Sequence, residues 1–197
     1  MSQGEYSDLE TSLAEKRKVL NMAAAQGGDL YDLLKRIAAL KRAPKTRKGR
    51  YHAARSPYKP VLLLTVLRRM QQGKAPYASN RINFEVCIQD FHLLYSRLFG
   101  EPEEIESKVT QAFWYLGSGS PKLWALSSKS GQERQLQALI AQHAQIKSAG
   151  KLKKLVEFAS FSEVDWALLA DSDVQQALIA FLISEHFADV RHEIDRL

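Results

Sequence analysis

The chain has 197 residues, 45% apolar and 25% charged, the balance of an ordinary globular protein with one domain or two small ones. This excludes a disordered chain or a fibrous repeat. No run of eighteen apolar residues offers a membrane span, and the opening MSQGEYSDLE lacks the apolar core of a secretory signal. The net charge of +6 is segregated: eight cations and no carboxylate lie between Lys41 and Lys59, whereas Glu157–Leu197 holds nine carboxylates against two arginines.

In chain order, Ser7-x-x-Glu10 has capping-box spacing, and Tyr6, Leu9, Leu13 and Leu20 continue near helical period until Gly27-Gly28. Asp29 is placed to cap a second helix whose apolar face is Leu30, Leu33, Leu34, Ile37 and Leu40. After Pro44 comes a basic arm, 44–59, and then Pro60 opens a nearly continuous apolar run that predicts a helix buried on most sides and ending at Gly73. Arg81-Ile82 reads as a short strand, and Asn83 as the cap of a helix through Phe84, Val86, Phe91, Leu94 and Leu98 to Gly100. Phe113–Leu116 and Lys122–Leu126, separated by Gly117-Ser118-Gly119-Ser120-Pro121, predict a β-hairpin. Helices are expected near 131–147, 151–158, 162–171 and 174–188. The fold class is therefore mainly α with a small antiparallel sheet (α+β), winged-helix-like, with an N-terminal helical segment (1–43) and a second domain (44–197) that opens on the arm.

A concentrated positive tract favours a polyanion through counterion release, and nucleic acid, here taken as double-stranded DNA, is the commonest class of such partner. Candidate DNA-binding residues are Arg47, Lys48, Arg50, Arg55, Tyr58 and Lys59 in and after the arm, with Lys122, Lys151 and Lys154 as further cations. Lys153 belongs to the last cluster, while Tyr51 and His52 add donors and flat apolar faces. Tyr58-Lys59 would project from a rigid helix whose positive end adds to anion attraction, although Pro57 and Tyr58 also suit a plain helix cap. Trp114 and Trp124 read as core, whereas Thr110-Gln111-Ala112 have no burial pattern of their own.

Catalytic chemistry finds little support. Asp90 with Glu106-Ser107-Lys108 only loosely matches a D…(D/E)xK nuclease, and both pieces fall in helical stretches where metal-binding strand ends are needed. The five histidines form no HExxH pair, and His186 and His192 read as exposed helix-end residues. The lone Cys87 can neither close an internal disulfide nor build a zinc site. No Gly-rich phosphate loop, nucleophile elbow or kinase signature occurs, so no catalytic residue, metal ligand or cofactor is expected.

These residues carry a family resemblance. Arg55-Ser56-Pro57-Tyr58-Lys59-Pro60-Val61-Leu62-Leu63-Leu64 resembles the A-P-H-(K/R)-P-L-L-L-L segment of the sulfur-binding domain of phosphorothioation-dependent, McrA-type HNH restriction endonucleases. Arg81-Ile82-Asn83-Phe84-Glu85-Val86, Leu98-Phe99-Gly100, Phe113-Trp114-x-Leu116 with Leu123-Trp124, and Phe161-Ser162 through His186-Phe187 resemble later motifs of that domain, in order, over residues 55–190.

The resemblance implies a non-catalytic domain that grips duplex DNA and inspects one backbone position for a non-bridging sulfur. It implies a bacterial restriction or phage-defence setting and a cytoplasmic, nucleoid-associated location without a membrane. The family's backbone-contacting His-(Lys/Arg) pair falls on Tyr58 and Lys59. Its Tyr-Pro sulfur cradle and the small residue after Phe-Trp fall on Gln111, Ala112 and Tyr115, with Pro57 completing the implied sulfur pocket. Four positions thus differ: His becomes Tyr58, Tyr-Pro becomes Gln111-Ala112, and the small residue becomes Tyr115. Either Tyr58 and Tyr115 rebuild the apolar dimple, or sulfur preference is weakened or lost. No HNH nuclease site can be assembled from these residues, which implies a nuclease effector in cis or in trans. Two other readings stay open: a general or sequence-specific duplex binder or regulator of the same fold, and a scaffold that docks an enzyme through its acidic helices.

Overall fold

The computed structural model describes residues 27–40, 43–44, 55–73, 79–100, 104–187 and 190–194, together with Ala14, Val19 and Asn21. The expected capping box at Ser7 lies outside them. Helix α1 spans Gly28–Ala38 and buries Leu30, Leu33, Leu34 and Ile37, the apolar face expected from the sequence. Its cap differs: Gly27 is the N-cap, and Asp29 sits in the first turn without a capping bond.

A two-residue ribbon follows, β1 (Ala43–Pro44) antiparallel to β2 (Arg55–Ser56), with Ala43 opposite Ser56 and Pro44 opposite Arg55. Both ends of the basic segment 45–54 are therefore held at one place. From β2 the chain passes through the buried Pro57, the N-cap, into helix α2 (Tyr58–Gln71). Every residue from Pro60 to Leu67 is buried, including Thr65, whose hydroxyl donates to the Val61 carbonyl at 2.8 Å. A helix apolar on all sides belongs at the centre of a domain. Around α2 pack α3 (Phe84–Phe99), α4 (Ile105–Ser118) and α8 (Ser172–His186). Asn83 caps α3 as expected, its side chain accepting from the Glu85 and Val86 amides, and Gly100 ends it at a φ of 78° that favours glycine.

The hairpin expected at 113–126 is absent. Phe113–Leu116 belong to α4, where Val109, Ala112, Phe113 and Leu116 make a buried face at helical spacing. The second aromatic run does fold back on the first, but onto a helix: the Leu123 and Trp124 amides donate to the Leu116 carbonyl at 2.8 and 3.3 Å, and the Trp124 indole donates to the Phe113 carbonyl at 3.1 Å. Trp114 and Trp124 are core residues as read from the sequence, each 1% exposed. Thr110 and Ala112, which show no burial pattern of their own in the sequence, are buried as well.

The sheet forms instead from β3 (Ala125–Ser128) and β4 (Val156–Ser160), antiparallel with Leu126 opposite Ala159. Ile82 bridges the other side of β4 through paired bonds with Ala159 at 2.7 and 3.0 Å, so Arg81-Ile82 contributes a bridge where a strand is expected. Between β3 and β4 lie α5 (Glu133–Ala141) and α6 (Ala149–Leu155). The helix expected at 151–158 thus ends at Leu155 and gives way to a strand at Val156, which pairs with β3. Helix α7 (Glu163–Leu169) precedes α8, and α9 (Arg191–Ile194) closes the described residues. The winged-helix expectation rested on the hairpin, and the sheet that exists joins distant segments.

Helix α1 packs on α7 and α8 within the same hydrophobic cluster as α2. Arg36 forks onto the buried Asp165 (3.0 and 2.5 Å) and also donates to the Lys122 carbonyl at 3.3 Å. His186, read as an exposed helix-end residue, is only 5% exposed, and its Nε2 lies 2.9 Å from the Ile37 carbonyl, joining α8 to α1. His192 is exposed. Among the described residues no single helix is long and apolar enough to cross a membrane.

Candidate nucleic-acid interface

The basic ribbon, the start of α2 and one face of α4 meet. The ribbon delivers the chain to the N-terminus of α2, whose dipole attracts anions and whose first turn holds no acid. Arg47, Lys48 and Arg50, with Tyr51 and His52, lie outside the described residues; Arg55 is in β2. Tyr58 and Lys59 are both half-buried.

Aromatic packing fixes Tyr58. Its ring stacks on Tyr95 of α3 at 5.2 Å between centroids and 21° between planes, and tilts against Phe91 at 6.3 Å. Tyr95 is in turn stacked on Phe91 at 5.5 Å and packed on Phe99 at 5.1 Å. The Lys108 ammonium of α4 stands 5.8 Å from the Tyr58 ring centroid, which brings α4 beside the start of α2.

On α4, Ser107, Lys108, Gln111, Tyr115 and Ser118 recur at spacings that put them in one sector, and all five are half-buried. The Gln111 amide donates to the Ser107 carbonyl at 3.2 Å and to its hydroxyl at 3.3 Å. Burial pushes the Tyr115 phenol above its ordinary value, so it is neutral at physiological pH and able to donate. Ala112 is different: at 2% exposure it faces the core, away from Gln111 and Tyr115.

The opposite flank of α4 is held by Trp114, whose indole donates to the Ala144 carbonyl at 2.8 Å. That bond lays the segment before α6 along the helix. Lys151 and Lys154 are exposed on α6, Lys153 pairs with Glu85 at 3.1 Å, and Lys122 is exposed beyond the end of α4. The α4 sector therefore has the start of α2, with Tyr58 and Lys59, on one side and α6, with Lys151 and Lys154, on the other. Such an arrangement suits a polyanionic backbone.

Asp90 and Lys108, the ends of the loose nuclease pattern, do different things. Asp90 is ion-paired with Arg69 of α2, whereas Lys108 stands over Tyr58. Among the described residues no group of three or more His, Cys, Asp and Glu side chains gathers to hold a metal. An apolar void lined by Leu33, Ile37, Leu63 and Leu178 measures about 10 Å³, no more than one water.

Sequence reasoning missed two residues of this surface, Lys108 and Tyr95. Reading 105–118 as a helix would have put Lys108 three residues from Gln111 and seven from Tyr115, on the same face. No protein of curated function matches this chain. The model of the family described as ScoMcrA-like, DNA sulfur-binding domain matches residues 31–194, from within α1 to the end of α9. With that match covering most of the 197 residues, the chain belongs to the ScoMcrA-like DNA sulfur-binding domain family, and it is a DNA-recognition domain.

Proposed function

We propose that this domain reads a phosphorothioate in the backbone of duplex DNA, using the face made by Tyr58, Lys59, Gln111 and Tyr115. One observation carries the reading. Tyr58 and the Gln111–Tyr115 pair, matched to different motifs of the family, flank a single surface joined by the approach of Lys108 to Tyr58.

The chemistry follows from sulfur itself. A non-bridging sulfur is larger, softer and less strongly hydrated than oxygen, so apolar surface favours it while cations hold the remaining negative charge. The ring edges of Tyr58 and Tyr115 supply apolar surface, and Lys59, the arm and the start of α2 supply positive potential. Ala112 lies in the core, so the dimple in this chain is one of Tyr58, Gln111 and Tyr115, with Pro57 as the buried helix cap that precedes Tyr58. Discrimination by fit and desolvation is worth about 1–3 kcal/mol for one good contact.

The domain works as the recognition module of a restriction or phage-defence system in the bacterial cytoplasm, with cleavage supplied by a nuclease in cis or in trans. Arg47, Lys48, Arg50 and Arg55 take phosphates on one bank, and Lys122, Lys151 and Lys154 on the other. The test is an anisotropy titration of one short duplex with and without a single Rp phosphorothioate, at two salt concentrations. Tighter binding of the modified duplex at both is expected. Equal binding that weakens steeply with salt would make the domain a general duplex binder, the reading that the polar Gln111 favours.

A further inference from the structure

We propose that Lys108 is a backbone contact of this domain, gripping the same phosphate as the Tyr58 hydroxyl. The inference rests on the α2–α4 face being the DNA-binding surface, and it adds a residue that enters the sequence reading only through an unsupported nuclease pattern.

Three observations carry it. First, Lys108 is half-buried on α4 with its ammonium 5.8 Å from the Tyr58 ring centroid, near the outer limit of a cation–π contact. The charge is thus aimed at the start of α2, but the ring satisfies little of it. Second, no carboxylate among the described residues lies within ion-pair distance of Lys108, although Glu104 sits one helical turn before it. An i, i+4 acid is the ordinary partner of a helical lysine, and here the lysine points elsewhere. Third, the ring that the ammonium approaches stands at the start of α2, a helix N-terminus with no acid in its first turn, reached from the ribbon that roots the basic arm. A helix dipole and a lysine brought to one corner both favour an anion there.

Tyr58 supplies the second half of the grip. Its ring is held by Tyr95 and Phe91, so the hydroxyl is a donor on a fixed support, carried by the ring that the ammonium approaches. A tetrahedral phosphate with two non-bridging atoms can accept from both. Where one of those atoms is sulfur, the charged oxygen goes to Lys108 and the softer atom is left for the aromatic surface. Lys108 therefore contributes affinity to modified and unmodified duplexes alike.

The test compares Lys108→Gln, Lys108→Arg and Tyr58→Phe with the unaltered chain, titrating plain and Rp-phosphorothioate duplexes against salt. Lys108→Gln is expected to lose about tenfold in affinity for both duplexes. Its log–log salt slope is expected to shrink by about one phosphate contact. Lys108→Arg binds as the unaltered chain does. Combined with Tyr58→Phe, Lys108→Gln loses less than the product of the two single effects, because both act on one phosphate. Lys129→Gln, exposed in the turn after β3, changes neither affinity nor slope. A Lys108→Gln protein with unchanged affinity and slope, while the unaltered chain binds DNA, overturns the inference alone. An unaltered chain that binds no duplex overturns the reading of the face and the inference with it.

Discussion

At the scale of residues, the proposed reading depends on how the aromatic groups are held. Tyr58 is held in place chiefly by Tyr95, stacked on it at 5.2 Å, with Phe91 tilted against it at 6.3 Å. Tyr95→Leu is expected to weaken binding of the phosphorothioate duplex about three- to tenfold with little change in the salt slope, because it loosens a ring and removes no charge. Tyr95→Phe keeps the stack and binds as before; titrating both variants against both duplexes checks this. Tyr115 makes a pH prediction. Burial raises its phenol above the ordinary value, so the neutral form persists to higher pH and no negative charge develops beside DNA in the neutral and mildly alkaline range. Affinity measured from about pH 7 to 9 is expected to stay flat, and Tyr115→Phe is expected to have the same profile. A fall that Tyr115→Phe abolishes contradicts this.

At the scale of elements, α4 is where sequence and structure part company. Four consecutive aromatic and aliphatic residues followed by a Gly-Ser-Gly-Ser-Pro turn read as a strand by local preference. The tertiary setting overrides that preference, because Val109, Ala112, Phe113 and Leu116 all need the core that α2 offers. The aromatic runs were legible as partners and not as to conformation. Local signals that need no partner came through better: the Asn83 cap, the Gly100 stop, the buried Pro60–Leu67 helix and the apolar face of α1. The same misreading hid Lys108, since a hairpin gives residues 105–112 no common face with Tyr115. Gly117 makes the packing of α4 testable. A Cβ there would stand 2.6 Å from Leu126 Cγ and 2.9 Å from Trp124 Cδ1, inside contact distance of the segment folded back from α4. Gly117→Ala is therefore expected to destabilise the domain by about 1–3 kcal/mol in urea unfolding, despite alanine's higher helix propensity.

At the scale of the whole molecule, charge is divided by task. Arg36 is a cation used for architecture: it ties α1 to Asp165 of α7 and to the segment after α4. Arg36→Ala is expected to cost about 1–3 kcal/mol of stability and to leave the salt dependence of DNA binding alone. The arm is the converse. Arg47, Lys48 and Arg50 replaced together by Ala are expected to leave the thermal midpoint in place and to lower the salt slope by up to about three contacts. The segregation of charge was legible in the sequence, and it pointed to DNA. Which cations serve the fold was not, because the Arg36–Asp165 pair joins residues 129 apart and no local pattern marks it. His186 was misread for the same reason, since its partner Ile37 lies at the other end of the chain.

The face itself is tested most directly by lysine-reactivity footprinting, in which the acylation of each lysine is followed by mass spectrometry as phosphorothioate duplex is added. Lys59, Lys108 and Lys151 are expected to lose reactivity together, while Lys35, exposed on α1 with its ammonium 4.4 Å from the Tyr31 ring, keeps its own. Protection of Lys35 with Lys59 and Lys108 unchanged would place DNA on the other side of the molecule and contradict this account.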